Sequence, residues 1–293
     1  MSWTDLGAGI RVRHSAAYQM TSTVLLDRAH TVVVDPGVLP SELDDIVRVV
    51  ADAGAPEVTL ILTHPHWDHV IGRPWFANAR TIAHDGFAAV VKRDAAAIQE
   101  AAAKCAAEHR ESWTRPFAPF RPDDPVSGLR FLKLGPWKVV LRDAPGHSQE
   151  QLTVHLPDHH VLLAADMLSD VEIPGLCGSP ASYRAALEPL VPLAEHGAIE
   201  VLVPGHGSIA RSSDAVQARF RHDLDYLQAL KDGVVRALAA GLGREAAIEQ
   251  LMAMDYTGKD GTPWPMADVH RENAGHAWDQ AARPASARHR VKR

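Results

Sequence analysis

Thr63-His-Pro-His-Trp-Asp-His69 follows directly on Val58-Thr-Leu-Ile-Leu62, a short apolar run of the kind that forms a strand buried on both faces. Four residues with metal-binding side chains, His64, His66, Asp68 and His69, fall within six positions. Neutral imidazole and carboxylate are preferred ligands of zinc and related divalent ions. His64 and His66 alternate as strand residues do, so both point to one side just past the strand end. Asp68 and His69 lie around the following bend and reach toward a second position. One tetrahedral ion cannot readily use all four, whereas two adjacent ions can. The bland alternative is a histidine-rich loop in water, and four ligand residues at the end of a buried strand argue against it.

Three single residues occupy the same place after other strands. His147 lies in Ala144-Pro-Gly-His-Ser148, Asp166 ends Val161-Leu-Leu-Ala-Ala-Asp166, and His206 lies in Val203-Pro-Gly-His-Gly207. In layered α/β folds, ligands collect where strand ends open into loops. Alone, such a histidine is more often a surface residue, and such an aspartate more often caps a helix. Together, the five histidines and two aspartates suffice for two metal ions with positions left for water and substrate.

The surrounding chain reads as a large α/β unit. β-Branched runs at 23–26 and 31–34 form a hairpin, and Asp35-Pro36-Gly37 ends the second strand. Leu43, Ile46, Val47 and Val50 recur at helical spacing between Ser41 and Gly54. Further strands are expected at 80–83, 129–134, 138–141, 152–156, 161–164 and 200–203. Residues 86–125 read as an insertion on the core: an Ala-rich helix to about Trp113, then a return kept irregular by Pro116, Pro119, Pro122 and Pro125. A helix with internal prolines is expected at 181–194, and a long one from Ser213 to about Ala240. The division is then a catalytic domain at 1–212, a helical C-terminal extension packed on it at 213–282, and a basic disordered tail at 283–293.

Across 293 residues, 30 Lys and Arg stand against 36 Asp and Glu, a formal charge of −6. That balance argues against nucleic acid or an anionic membrane as partner. No apolar stretch approaches membrane-helix length, and the first residues lack a signal-peptide core. The two cysteines, Cys105 and Cys177, cannot make a disulfide scaffold and point to a reducing compartment. A soluble, cytoplasmic protein acting on a small molecule is expected.

The set of seven ligand-type residues resembles that of the metallo-β-lactamase superfamily, whose mark is a His-x-His-x-Asp-His loop followed by separated His, Asp and His ligands. The resemblance spans roughly residues 21–209 and implies a four-layer αββα sandwich with metals at one edge between the sheets. It implies that His64, His66 and His147 hold one ion, that Asp68, His69 and His206 hold a second, and that Asp166 bridges them. Zinc is the expected metal, with iron or manganese as alternatives. Asp35 matches an aspartate that is mostly structural in the family. Two departures stand out. His147 is followed by Ser148-Gln-Glu150 where Thr-Pro-Gly is frequent, and Ala165 stands where a glycine commonly precedes the bridging aspartate.

The chemistry so implied is hydrolysis of an ester, lactone, thioester or amide carbonyl by a metal-bridging hydroxide. Two divalent ions about 3.5–4 Å apart lower the pKa of a shared water toward neutrality. Asp68 would be both a ligand and the proton carrier. Asp166 counts against antibiotic hydrolysis, because β-lactamases of this fold lack the bridging aspartate. The alternatives are a mononuclear iron enzyme resembling the persulfide dioxygenases, with His64, His147 and Asp166 as a facial triad, and a phosphodiesterase of the same fold. Candidate substrate contacts are Trp67 at the mouth, Ser179 and Tyr183 downstream of Asp166, and His270. The last lies in a polar run at 268–276 for which a helix-surface position is the plainer expectation. Cys177 is a spare ligand type in a set already full.

Overall fold

Two β-sheets face each other at the centre of the computed structural model, which describes residues 2–259 and 264–282. The basic stretch 283–293, expected to be a disordered tail, lies outside the described residues. The first sheet runs in chain order through β1 (Ser2–Gly7), β2 (Ile10–His14), β3 (Thr21–Leu25), β4 (His30–Val34), β5 (Glu57–Ile61), β6 (Arg80–His84) and β7 (Asp124–Val126). Its first four strands pair antiparallel and the rest parallel. The second sheet comprises β8 (Leu129–Leu134), β9 (Trp137–Asp143), β10 (Leu152–Leu156), β11 (Val161–Leu163) and β12 (Val201–Val203). The last of these closes an edge parallel to β11.

Strand alternation sorts the apolar side chains into layers. Val32, Val34 and Ile61 point between the sheets, with Leu141, Val154 and Leu163 facing them. Val33 and Leu60, one residue out of phase, point outward to Leu43 and Ile46 of α1 (Pro40–Ala53). Burying Leu43 and Ile46 stabilises the packing by about 2 kcal/mol each. Gly54, at φ 68°, ends α1 in the left-handed conformation that glycine adopts without strain.

The segment expected as an insertion packs closely on the core. After the single turn of α2 (Trp67–Val70), α3 (Phe87–Glu108) lays Phe87, Val91, Ile98 and Ala102 against Leu62, Val70, Ile71 and Ala83. The proline-bearing return then delivers β7 to pair beside β6. The helix ends at Glu108, short of the expected Trp113. The opening hairpin β1–β2 was not expected either. Ile10 and Val12 face the intersheet core, but Arg13 is also buried, ion-paired with Glu42 and Asp45 of α1.

The fourth layer is helical: α4 (Pro180–Leu187), α5 (Val191–Glu195), α6 (Ser213–Ala239), α7 (Arg244–Leu251) and α8 (Ala267–Ala282). The helix expected at 181–194 is two short helices. Pro189 falls in the break, and Pro192 sits in the first turn of α5, where no backbone N–H is needed. These helices pack on the outer face of the second sheet through Leu162, Leu187, Leu202, Phe220 and Leu230. No helix among the described residues is long and apolar enough to cross a membrane.

Candidate metal centre

Every predicted ligand leaves the end of a strand on the same side of the sandwich. The chain past β5 stays paired, Leu62 N donating to the Ile82 carbonyl, and carries His64 inward with no exposed surface. His66 is extended and precedes α2, whose single turn presents Asp68 and His69 together. His147 sits in a tight loop closed by the Ala144–Gln151 and Gly146–Ser148 backbone bonds. Gly146 is required there, because a Cβ would stand 2.8 Å from Tyr183 Cα. Gly205 N donates to the Ala165 carbonyl at 2.6 Å, tying the β11 and β12 loops together. A Cβ on Gly205 would occupy the space of the Asp166 carboxylate.

The donor atoms converge in two groups, His64, His66, His147 and Asp166, and Asp68, His69 and His206. His147 Nε2 lies 2.9 Å from His66 Nδ1 and 3.2 Å from Asp166 Oδ2, and His64 Nε2 is 3.5 Å from the same oxygen. His206 Nε2 lies 3.2 Å from Asp68 Oδ2 and 3.5 Å from Asp166 Oδ2, while His69 Nε2 is 3.0 Å from Asp166 Oδ1. Around a tetrahedral ion with bonds of ~2.05 Å, donors stand roughly 3.3 Å apart. The two oxygens of Asp166 therefore lie within reach of donors from both groups. His64 Nε2, His69 Nε2 and Asp166 Oδ1 are buried and make no hydrogen bond. Buried polar atoms normally find partners, and here cations bound among them would supply the interaction. The donor set fits two divalent ions.

Behind the donors, a second set of contacts fixes the rings. His206 Nδ1 donates to the Tyr18 carbonyl at 2.9 Å, and His69 Nδ1 lies 2.9 Å from Asp35 Oδ2. Asp35 also accepts from Thr63 N at 2.8 Å and Thr63 Oγ1 at 2.6 Å. Such outer partners set tautomer and orientation, leaving the opposite nitrogen for a metal. The expected supporting role of Asp35 thus has a geometry.

Charge is distributed unevenly. Burial, reinforced by His69, pushes His64 well toward its neutral form, and burial with His147 lowers His66 to about 4. Burial opposes charge on His69 too, but Asp166, Asp68 and Asp35 prevail and hold it strongly protonated. His206 is likewise raised by Asp166 and Asp68 against burial. In turn, His69 and His206 hold the carboxyls of Asp68 and Asp166 below the usual carboxylate range despite burial.

The departure at Ala165 becomes intelligible here. Ala165 has φ 51° and Leu168 φ 61°, so Asp166 lies between two left-handed residues. Glycine takes that conformation freely, whereas an L side chain pays roughly 1 kcal/mol or more.

Among the substrate candidates, Trp67 is half-buried at the mouth and packs edge-on against Tyr18 at 5.9 Å. Ser179 N-caps α4, accepting from Ser182 N. Tyr183 and His270 are corrections: both are fully buried in the helical layer. Tyr183 donates to Asp223, and His270 lies between Tyr226 and the Leu251 carbonyl, so neither meets substrate. His270 is not on a helix surface: it and Asn273 face the core, while Asp268, Arg271 and Glu272 of the same run are exposed. Cys177 belongs to neither donor group. Two neighbours of the site carried no sequence signal. The Trp264 ring stands 6.1 Å from that of His206. Glu172 is half-buried in the loop after Asp166, and burial pushes its carboxyl up to about 7, with Asp166 and Asp68 adding and His206 and His147 opposing.

Fold and donor set together define an αββα sandwich built to bind metal at its edge. The chain belongs to the metallo-beta-lactamase superfamily, whose sequence pattern matches residues 17–227. It is 27% identical over 188 residues to the acyl-coenzyme A thioesterase MBLAC2 of Gallus gallus, covering 59% of this chain and 67% of that protein. A metallo-beta-lactamase family protein from Thermus thermophilus superposes with a TM-score of 0.65 at 20% identity, over 94% of this chain and 95% of that one. The sec-alkylsulfatase Pisa1 from Pseudomonas sp. superposes with a TM-score of 0.67 at 12% identity, over 96% of this chain and 50% of that one. This chain thus spans about half the length of the alkylsulfatase, and both structural likenesses are of fold alone.

Proposed function

We propose that this protein is a two-metal hydrolase of acyl substrates, with thioesters as the preferred class within the ester, lactone, thioester and amide set. The observation that carries the reading is the completeness of both donor groups around Asp166. His64, His66 and His147 would hold one ion, Asp68, His69 and His206 the other, and Asp166 both. Zinc is the first choice of metal, with iron or manganese as alternatives. Bound divalent ions supply Lewis acidity, which lowers the pKa of water and polarises a carbonyl.

Asp68 Oδ2 faces His206 Nε2 at 3.2 Å and His69 Nε2 at 3.8 Å, the two histidines of its own group. It is the carboxylate placed to accept a proton from the attacking water. A departing amine needs that proton returned to it before it leaves. A thiolate, whose parent thiol has a pKa of about 8.5, leaves without that proton. The likeness to an acyl-coenzyme A thioesterase supports the same choice. Tyr18, Trp67 and Trp264 supply apolar surface beside the centre, suited to an acyl chain.

A single iron on His64, His147 and Asp166 is the competing reading. It leaves Asp68, His69 and His206 a buried donor group without an ion, which favours the two-metal form. The test is elemental metal content per chain after purification without chelator, followed by assays on acyl thioesters, esters, lactones and phosphodiesters. About two ions per chain and thioester turnover abolished by chelation are expected. One iron per chain with oxygen uptake on persulfides would overturn the proposal, and phosphodiester turnover alone would replace its substrate class.

A further inference from the structure

The chain between β11 and α4 crosses the mouth of the donor groups without regular secondary structure, and its shape decides where two ligands stand. Asp166 lies at its start between the left-handed residues Ala165 and Leu168. Gly175, farther along, forms the wall behind His147. A Cβ there would stand 3.0 Å from His147 Nδ1 and 3.3 Å from Cε1. The stretch is held by the C-terminal helices at two points. Asp223 of α6, 1% exposed, accepts from Leu168 N at 2.9 Å. Asn273 of α8, fully buried, donates to the Pro174 carbonyl at 2.6 Å and accepts from Leu176 N at 3.0 Å. Those two bonds bracket Gly175.

The orientation of the Asn273 amide follows from its partners. Leu176 N and the Pro174 carbonyl fix which end is oxygen. The remaining amide hydrogen goes to Tyr226 Oη at 2.9 Å. The Leu251 carbonyl can only accept, so His270 Nε2 donates to it at 3.0 Å. Burial favours the neutral imidazole, whose Nδ1 then accepts from Tyr226 Oη at 2.8 Å. Asn273, Tyr226, His270 and Leu251 thus form one directed chain in which every buried donor on Asn273 is used. A fully satisfied buried network of this kind rigidifies what it touches.

We propose that Asn273 is a positioning residue for the metal centre, aided by Asp223: the C-terminal helices hold the loop against His147 and so set the affinity of the His64, His66 and His147 group. The inference rests on the two-metal reading. The buried pair His270 and Asn273 thereby acquires a role without touching substrate.

The test is cobalt(II) titration of the full chain against a chelator, with the visible ligand-field spectrum read at each equivalent. Asn273→Leu is expected to stay folded with a lower Tm and to lose about 10- to 100-fold in affinity for the first group's ion. Its other ion should be held nearly as before, and the spectrum of the first equivalent should shift. Asn273→Ser, which keeps a hydroxyl and room for water, should show a smaller loss in the same direction and covers the case in which the leucine variant fails to fold. Leu190→Ala, buried in the same helical layer between α4 and α5 and outside the Asp223 and Asn273 hydrogen bonds, gives the control: lower Tm with both affinities kept. Equal weakening of both ions in all three variants would reduce the effect to stability and overturn the proposal, as would unchanged binding in both Asn273 variants. Failure of the unsubstituted protein to take up cobalt would instead overturn the two-metal reading itself.

Discussion

On one side of Asp166, His64 and His66 are pushed toward neutral imidazoles by burial and by each other's neighbours. On the other side, His69 and His206 are held as imidazolium by Asp35, Asp68 and Asp166. The difference follows from where the carboxylates lie: Asp68 and Asp35 both serve the second group. In the metal-free protein, His69 and His206 therefore stand in for cations, neutralising carboxylates that would otherwise repel each other. His64 and His66 are ready for a metal at neutral pH, whereas His69 and His206 must release protons to accept one. Asp166 lies between two donor groups whose histidines have opposite protonation preferences.

The largest expected effect comes from a change that strikes both halves. Gly205→Ala places a methyl where the Asp166 carboxylate lies. Both ions should be weakened by more than about 100-fold in metal analysis of dialysed protein, with turnover lost. Selective loss of one ion would show that Asp166 does not serve both.

Asp68→Ala should separate the halves. Turnover is expected to fall by roughly 10²- to 10⁴-fold, with the second group's ion weakened and the first retained. Near-normal activity in a stopped or coupled assay would remove Asp68 from proton transfer.

The pH dependence sharpens the comparison further. The raised histidines contribute ion-pair stability that is complete below their ordinary pKa near 6.5 and is lost as pH rises through their folded values. The depressed Asp68 and Asp166 contribute stability above the ordinary carboxylate range, lost as pH falls through their folded values. The metal-free network is thus intact around neutrality. Calorimetric titration near pH 7 in buffers of differing ionisation enthalpy should show up to two protons released, from His69 and His206, as the second group fills. No release is expected from His64 or His66. Acidification should weaken the second ion first, and equal weakening of both would contradict the asymmetry.

The smallest effect is local. Ala165→Gly relieves a left-handed backbone beside Asp166 and should raise stability by about 0.5–1 kcal/mol in denaturant melts, with both metals kept. A loss of stability would mean that the alanine methyl contributes more through packing than its backbone costs.

Sequence alone determined the strand-end ligands, because strand burial and ligand chemistry are both local properties. The run at 58–62 had to be a buried strand, and His64, His66, Asp68 and His69 had to emerge from its end. Helices α1 and α6 were likewise legible from apolar spacing, and α1 from its terminal Gly54, though Leu39 rather than Ser41 stands at its N-cap. Short or polar elements were not. The β1–β2 hairpin owes its place to Arg13 pairing with Glu42 and Asp45 from α1, partners distant in the chain. How the segment at 86–125 seats on the core was not legible, because its apolar stripe is diluted by alanine and only tertiary packing brings it against Leu62 and Ala83.

Within the site, tertiary structure decided protonation, support and access. Whether an imidazole is neutral or charged depends on which carboxylates approach it, and no spacing rule reports that Asp35 meets His69. Tyr183 and His270 looked like candidates for substrate, yet their polar atoms are spent on Asp223, Tyr226 and Leu251. Asn273 offered no signal beyond a polar run, since its meaning lies in two backbone groups almost a hundred residues away. Ligand identity is written along the chain, because each residue brings its own donor atom. Their electrostatics and precise placement arise only when distant segments exclude water together.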